Sequence, residues 1–203
     1  MVNGWEIALI SYMSTAAATF LPVLYVLLRR ATLYDWGPAF ADSPHFSDAA
    51  KERLSQNFQR IQGTLTFWKT EAIRYKAFHI YAVVWITVST VAVPFIAQSV
   101  NSSNPWSKWC VSIIGAYAAL LLALSRAFRV ENIYKGFRQG ESDFYDTYRR
   151  LLDTPRVFGR TEEDQLRSYF SQVERIRRGV RSTETDDLPS VEGAAPHHDE
   201  PTT

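Results

Sequence analysis

Chemistry at a protein site needs nucleophiles, bases or metal ligands that a fold can bring together, and this chain offers few. It has four histidines and one cysteine in 203 residues. His45 and His79 belong to unrelated segments, His197 and His198 stand in an acidic tail, and Cys110 opens a different, apolar stretch. No Ser/His/acid or Cys/His constellation can be written from them. There is also no phosphate-binding glycine loop, no zinc-type spacing and no nucleophile elbow. A lone cysteine forms no disulfide within the chain and says nothing about compartment. The expectation is a protein that is not an enzyme and has no catalytic residue, no metal and no cofactor. His197-His198 is a weak metal signal, and Asn101-Ser102-Ser103 matches a glycosylation sequon in a loop too short for a transferase to reach. Both are read as chance.

The polar residues that remain of interest lie inside apolar runs. Thr87, Ser89 and Thr90 precede Pro94. Their hydroxyls either bond to carbonyls freed by a proline kink or line a wet path; on the second reading all three are candidate pore-lining residues facing one axis. Ser112, Gly115, Ala116, Ala119 and Ala123 put small residues every three or four positions, a face that lets membrane helices approach closely. No acid or base sits in mid-run, which argues against proton-coupled transport. His79, at the mouth of its run, reads as a packing histidine or as a pH-sensitive gate.

The elements that carry these residues follow from where the charges are not. Ile7–Leu28, Ala77–Ser107 and Trp109–Ser125 contain no Asp, Glu, Lys or Arg over 22, 31 and 17 residues. A soluble domain spreads its apolar residues periodically so that each element keeps a wet face, whereas uncharged runs of about 18 residues suit a hydrocarbon core of about 30 Å. A single-domain soluble enzyme is therefore disfavoured. The last two runs, split by the turn formers from Val100 to Pro105, read as a transmembrane hairpin with spans at 77–99 and 109–127 and a loop at 100–108. Arg74 and Lys76 precede it and Arg126, Arg129, Lys135 and Arg138 follow, against only Lys108 between. The positive-inside rule puts both outer flanks in the cytoplasm. Residues 1–30 read as a further span, N-terminus outside and Arg29-Arg30 inside. An interfacial or protein-packed helix is one alternative, since Ser11, Ser14, Thr15, Thr19 and Pro22 interrupt the run, and a cleaved signal peptide is another, disfavoured because no positive n-region precedes the run. The formal charge of +1 hides a basic body and a tail with six acids from Ser182 onward.

Two flanking stretches are regular. Leu54, Phe58, Ile61, Leu65, Trp68, Ala72 and Tyr75 alternate by four and three, and so do Val130, Tyr134, Phe137, Glu141, Phe144, Tyr148 and Leu151. That is the seam of helices packing by knobs into holes. After a loop at 31–47, the first seam predicts a cytoplasmic helix at 48–76. The second predicts one at 128–152 that continues the preceding span, so that Trp109–Leu152 forms a single helix of roughly 65 Å. The seams meet each other or a neighbouring subunit, and Gly136 and Gly140 would let another backbone close in. Glu141 breaks the apolar seam and needs a partner, Arg138 or an arginine on another helix. Pro155 ends this helix. A capping box at Thr161–Asp164 and the stripe Leu166, Tyr169, Phe170, Val173 and Ile176 predict a helix at 162–179 that stops near Gly179. Residues 180–203 read as a disordered acidic tail.

A two-span hairpin followed by Arg129, Glu131, Asn132, Tyr134, Arg138 and Glu141 resembles the SLATT family, the SMODS- and SLOG-associating two-transmembrane effectors. The likeness covers about Tyr75 to Leu152. In that family the second span leads into a cytoplasmic helix with an acidic-Asn-aromatic cluster, then an Arg and a Glu, and the family favours Trp near the position of Tyr134. The resemblance implies a membrane effector that oligomerises into a pore in nucleotide-linked conflict systems, switched by a separate sensor or nucleotide-signalling protein. The overall expectation is an all-α membrane protein: a transmembrane helical hairpin extended into long cytoplasmic helices, with an additional N-terminal membrane helix. It would sit in the plasma (inner) membrane, C-terminus cytoplasmic, as a homo-oligomer with lipid and not nucleic acid as partner. It would act as a channel-like or pore-forming effector; the alternative is a non-conducting scaffold that docks a cytoplasmic protein through its coiled helices.

Overall fold

A computed structural model describes residues 4–29, 40–100 and 105–186. Among these residues the chain is all helical, with α1 (Gly4–Leu28), α2 (Asp48–Gln98), α3 (Pro105–Ala127), α4 (Val130–Asp153) and α5 (Glu162–Asp186), plus 3-10 turns at Phe40–Asp42 and Pro155–Val157. The sequon, His197-His198 and the tail from residue 187 lie outside the described residues. Helix α2 is one rod of 51 residues that runs through Pro94, about 75 Å long. It belongs to two bundles at once: its C-terminal half packs with α1 and α3, its N-terminal half with α4 and α5.

The first bundle is apolar on the outside. Three helices, α1, α2 and α3, are long and apolar enough to cross a membrane, yet only 11%, 22% and 17% of their most apolar stretches are buried within the molecule. Ile10, Leu21, Val84, Val91, Phe95 and Leu120 are each more than half exposed. Apolar surface left in water forgoes about 25 cal/mol per Å², so these faces call for a hydrocarbon surround or another apolar surface.

The second bundle is apolar on the inside. The seam of α2 meets the seam of α4 within one chain, burying Leu54, Ile61, Leu65, Trp68 and Ala72 against Phe137, Phe144, Tyr148 and Leu151. The stripe of α5 closes the third side with Leu166, Tyr169 and Val173. Gly136 and Gly140 admit side chains of α5 rather than a neighbouring backbone: a Cβ on Gly140 would run into Val180, and one on Gly136 would lie 2.5 Å from Cγ2 of Thr183. The N-termini of α2 and α5 are clasped. Ser47 caps α2 by accepting from the Ala50 amide at 3.3 Å, while its own hydroxyl and amide donate to the Glu162 carboxylate at 2.6 and 3.0 Å. Those bonds hold the Glu162 carboxyl below its ordinary value, and an acid in the first turn also suits the helix dipole. The Asp164 amide donates to the Thr161 hydroxyl at 3.2 Å, as in a capping box, while that hydroxyl rather than the Thr161 amide donates to the Asp164 carboxylate at 2.6 Å.

Several boundaries differ from those read in the sequence. Trp109–Leu152 is two helices, broken at Phe128 and Arg129, where Arg129 takes φ 42 and ψ 43. At 100° per residue, the buried face of α3 (Cys110, Ile114, Leu121) would lie about half a turn from Val130 on a straight helix. Both faces must meet α2, so the chain has to break, and a left-handed arginine costs about 1–2 kcal/mol to do it. The small-residue face would have been in line with Val130 without a break, and it is the face that α3 does not use. Helix α3 also begins at Pro105, inside the expected loop at 100–108, with proline at the first helical position where its missing N–H loses nothing. Helix α5 passes Gly179 and ends at Asp186, so residues 180–186 of the expected tail are helical. Val180 and Thr183 fill the space above the two α4 glycines and carry the helix onward.

Candidate functional site

Two places hold the polar groups that the sequence singled out. The first is inside the apolar bundle. Ser89, fully buried, donates to the Trp85 carbonyl at 2.5 Å, so the 2.6 Å bond to Tyr12 must be donated by the tyrosine. Trp85 Nε1 donates to Thr19 at 3.0 Å. Tyr81 donates to the Ala16 carbonyl at 3.0 Å, which leaves Tyr117 to donate to Tyr81. Edge-to-face contacts of Tyr12 with Trp85 and Tyr117 fill the space between. Every proton in this knot has an acceptor, which is the condition for burying hydroxyls and an indole in a dry interior. The links run from Tyr12, Ala16 and Thr19 of α1 to Ser89, Tyr81 and Trp85 of α2, so α1 lies alongside α2 and is packed against it over the apolar length.

This geometry separates the three expected pore-lining residues. Ser89 faces into the chain, while Thr87 and Thr90 are exposed on another side of α2 and donate to Val83 and Ile86 carbonyls at 2.8 and 2.7 Å. The hydroxyls are satisfied one turn back in their own helix. None of these three bonds goes to the Thr90 carbonyl, which is the one that Pro94 frees. Ser112, Ala116, Ala119 and Ala123 are exposed and Gly115 half-exposed, with nothing within 4 Å of a Cβ on Gly115.

The second place is the junction of α3 and α4. A cavity of about 390 Å³ is lined by His79, Val83 and Ile86 of α2, Leu122, Ser125 and Arg126 of α3, Arg129 at the break, and Glu131 and Asn132 of α4. Lys135 bonds Glu131 at 2.6 Å and holds its carboxyl below the ordinary value, with His79 and Arg126 adding smaller pulls. The Ser125 hydroxyl is buried here with no hydrogen-bond partner. The six residues on which the family resemblance rests are thus divided. Arg129, Glu131 and Asn132 line the cavity, whereas Tyr134 packs on the polar bundle and Arg138 pairs with the buried Glu141 at 2.6 Å. Among the described residues no group of three His, Cys, Asp or Glu could hold a metal ion.

Sequence reasoning missed the knot. Tyr12, Trp85 and Tyr117 carried a signal, because tyrosine and tryptophan favour the membrane interface and these three stand well inside apolar runs. A polar handle at that depth announces a partner. Compared with known proteins, the chain matches no family model, no curated protein and no solved structure.

Proposed function

We propose that the protein is an oligomeric membrane effector, channel-like or pore-forming, that works in the manner of the SLATT family it resembles. In this reading α1, α2 and α3 span the plasma (inner) membrane. The polar bundle and the C-terminus lie in the cytoplasm. Arg126 and Arg129 at the bundle junction, with Arg74 and Lys76 beside them and only Lys108 at the far end, support that orientation.

The observation that carries the proposal is the outward face of α3. Small residues in a membrane helix serve close helix contact, and within one chain nothing packs on Gly115. A second copy is the natural occupant. The aromatic knot fills the space between the three helices of one chain, so a conducting path needs several chains, with Thr87 and Thr90 rather than Ser89 facing it. A cytoplasmic sensor or nucleotide-signalling protein would bias the assembly through the polar bundle. The scaffold alternative is less well supported, because the seams it would offer to a partner are used between α2 and α4.

Mass measurement of the detergent-solubilised protein, paired with ion flux from loaded vesicles, tests this. Several chains per particle with flux supports a pore. A monomer with silent vesicles overturns it and favours the scaffold.

A further inference from the structure

The cavity at the α3–α4 junction has two unlike walls. Toward the apolar bundle it is lined by Val83, Ile86 and Leu122; toward the polar bundle by His79, Ser125, Arg126, Arg129, Glu131 and Asn132. Arginine is the side chain best suited to phosphate, through its planar fork of donors. The one carboxylate on that wall, Glu131, is bonded to Lys135 and also feels Arg126, but three cations (Arg126, Arg129 and Lys135) stand against it, so the wall keeps a net positive charge. Helix α4 starts here without a side-chain cap, so its first amides add to the positive end. The buried Ser125 hydroxyl, without a partner, supplies one more group to satisfy.

Arg129 is the sharpest clue. A glycine would make the left-handed turn at lower cost, and a strained non-glycine residue is kept where its side chain has a further task. An anion free in water would need only the polar wall. The apolar wall is continuous with the spanning faces of α2 and α3, so the complementary molecule is charged at one end and hydrocarbon at the other.

We propose that this cavity binds an acidic phospholipid, its phosphate held by Arg126 and Arg129 and the start of an acyl chain lying along Val83, Ile86 and Leu122. The site rests on the reading of α2 and α3 as membrane spans. It adds a lipid dependence to that reading: the bound headgroup ties the end of α3 to the start of α4, where the membrane bundle passes its orientation to the polar one.

Native mass spectrometry of the full chain from nanodiscs of equal phosphatidylglycerol and phosphatidylcholine tests it. The expected result is retained phosphatidylglycerol in excess of phosphatidylcholine on the order of tenfold, the scale of two arginines at an anionic surface. Arg126→Gln, which leaves the turn untouched, should reduce that preference several-fold. Arg126→Gln with Arg129→Asn, where asparagine tolerates the left-handed turn, should abolish it, and Arg149→Gln on the far part of α4 should not change it. Equal retention of both lipids, or an unchanged preference in Arg126→Gln, overturns the proposal. So does displacement of the lipid by millimolar inorganic phosphate or glycerol phosphate, which would mark a site for soluble anions. A chain that never enters nanodiscs and stays monodisperse without amphiphile overturns the spanning reading as well, and that outcome is distinct from a chain that inserts and shows no lipid preference.

Discussion

Around Ser89 the protein keeps hydroxyls and an indole N–H inside and leaves Val88 and Val91 outside; around Phe144 it keeps rings inside and leaves Asp146 and Arg149 outside. Both regions are three-helix bundles, and they share α2. The contrast teaches that one continuous helix carries two opposite surface patterns, apolar outside over one half and polar outside over the other. In the polar bundle, burial of apolar area supplies the driving force, and exposed ion pairs such as Asp146–Arg149 add little. In the proposed spanning state, the lipid around the apolar bundle is as apolar as leucine, so cohesion there must come from close packing and satisfied hydrogen bonds. Burial also pushes the phenols of Tyr148 and Tyr169 upward in the polar bundle, so they stay neutral across the physiological range.

Mutations on the two sides of this contrast should differ in size. The largest effect belongs to Phe144→Ala, which removes a fully buried ring and should destabilise the polar bundle by about 3–5 kcal/mol. Hydrogen exchange in α4 and α5 would rise together while α1 stays protected. Gly140→Leu comes next. With Val180 in the way of any Cβ, overpacking should cost about 1–3 kcal/mol and free α5 for proteolysis. Gly115→Leu meets nothing within the chain, so it should leave one chain's fold intact and lower the mass of any oligomer. Ser89→Ala should cost only about 0.6 kcal/mol, the average for hydrogen bonds between membrane helices; a loss as large as that of Phe144→Ala would break the comparison.

The smallest expected effect is a pH dependence at the Ser47–Glu162 clasp. The folded carboxyl is held below its ordinary value of 4.5. Its stabilisation is therefore fully present above about pH 4.5 and lost as the pH falls through the folded value. Thermal melts of Glu162→Gln should lack this acid-side component.

Much of the plan is legible in residue patterns. The charge-free runs mark the apolar helices, and the 4-3 seams of α2 and α4 mark the faces that meet. The break at Arg129 is not legible, for a physical reason. A helix in lipid is apolar all round, so nothing in α3 tells whether Cys110, Ile114 and Leu121 or the small residues pack inward. Choosing the small face makes a continuous helix plausible, and α3 uses the other. Gly179 misled in a similar way: it reads as a stop, but Val180 beyond it has the Gly140 groove to fill. Ser89 was legible as a polar residue at depth, whereas its partner Tyr12, 77 positions away, belongs to a contact that only tertiary structure makes.

The central claim is that hydrocarbon surrounds the first bundle and water the second. Nitroxide labels on cysteine placed at Val88 and Leu120, and at Glu52 and Arg149, in a Cys110→Ala chain reconstituted in lipid vesicles, test it by relaxation with oxygen and with a water-soluble nickel chelate. Labels at 88 and 120 should respond to oxygen and not to nickel, and those at 52 and 149 the reverse. Nickel reaching positions 88 and 120 as readily as 52 and 149 would contradict the account.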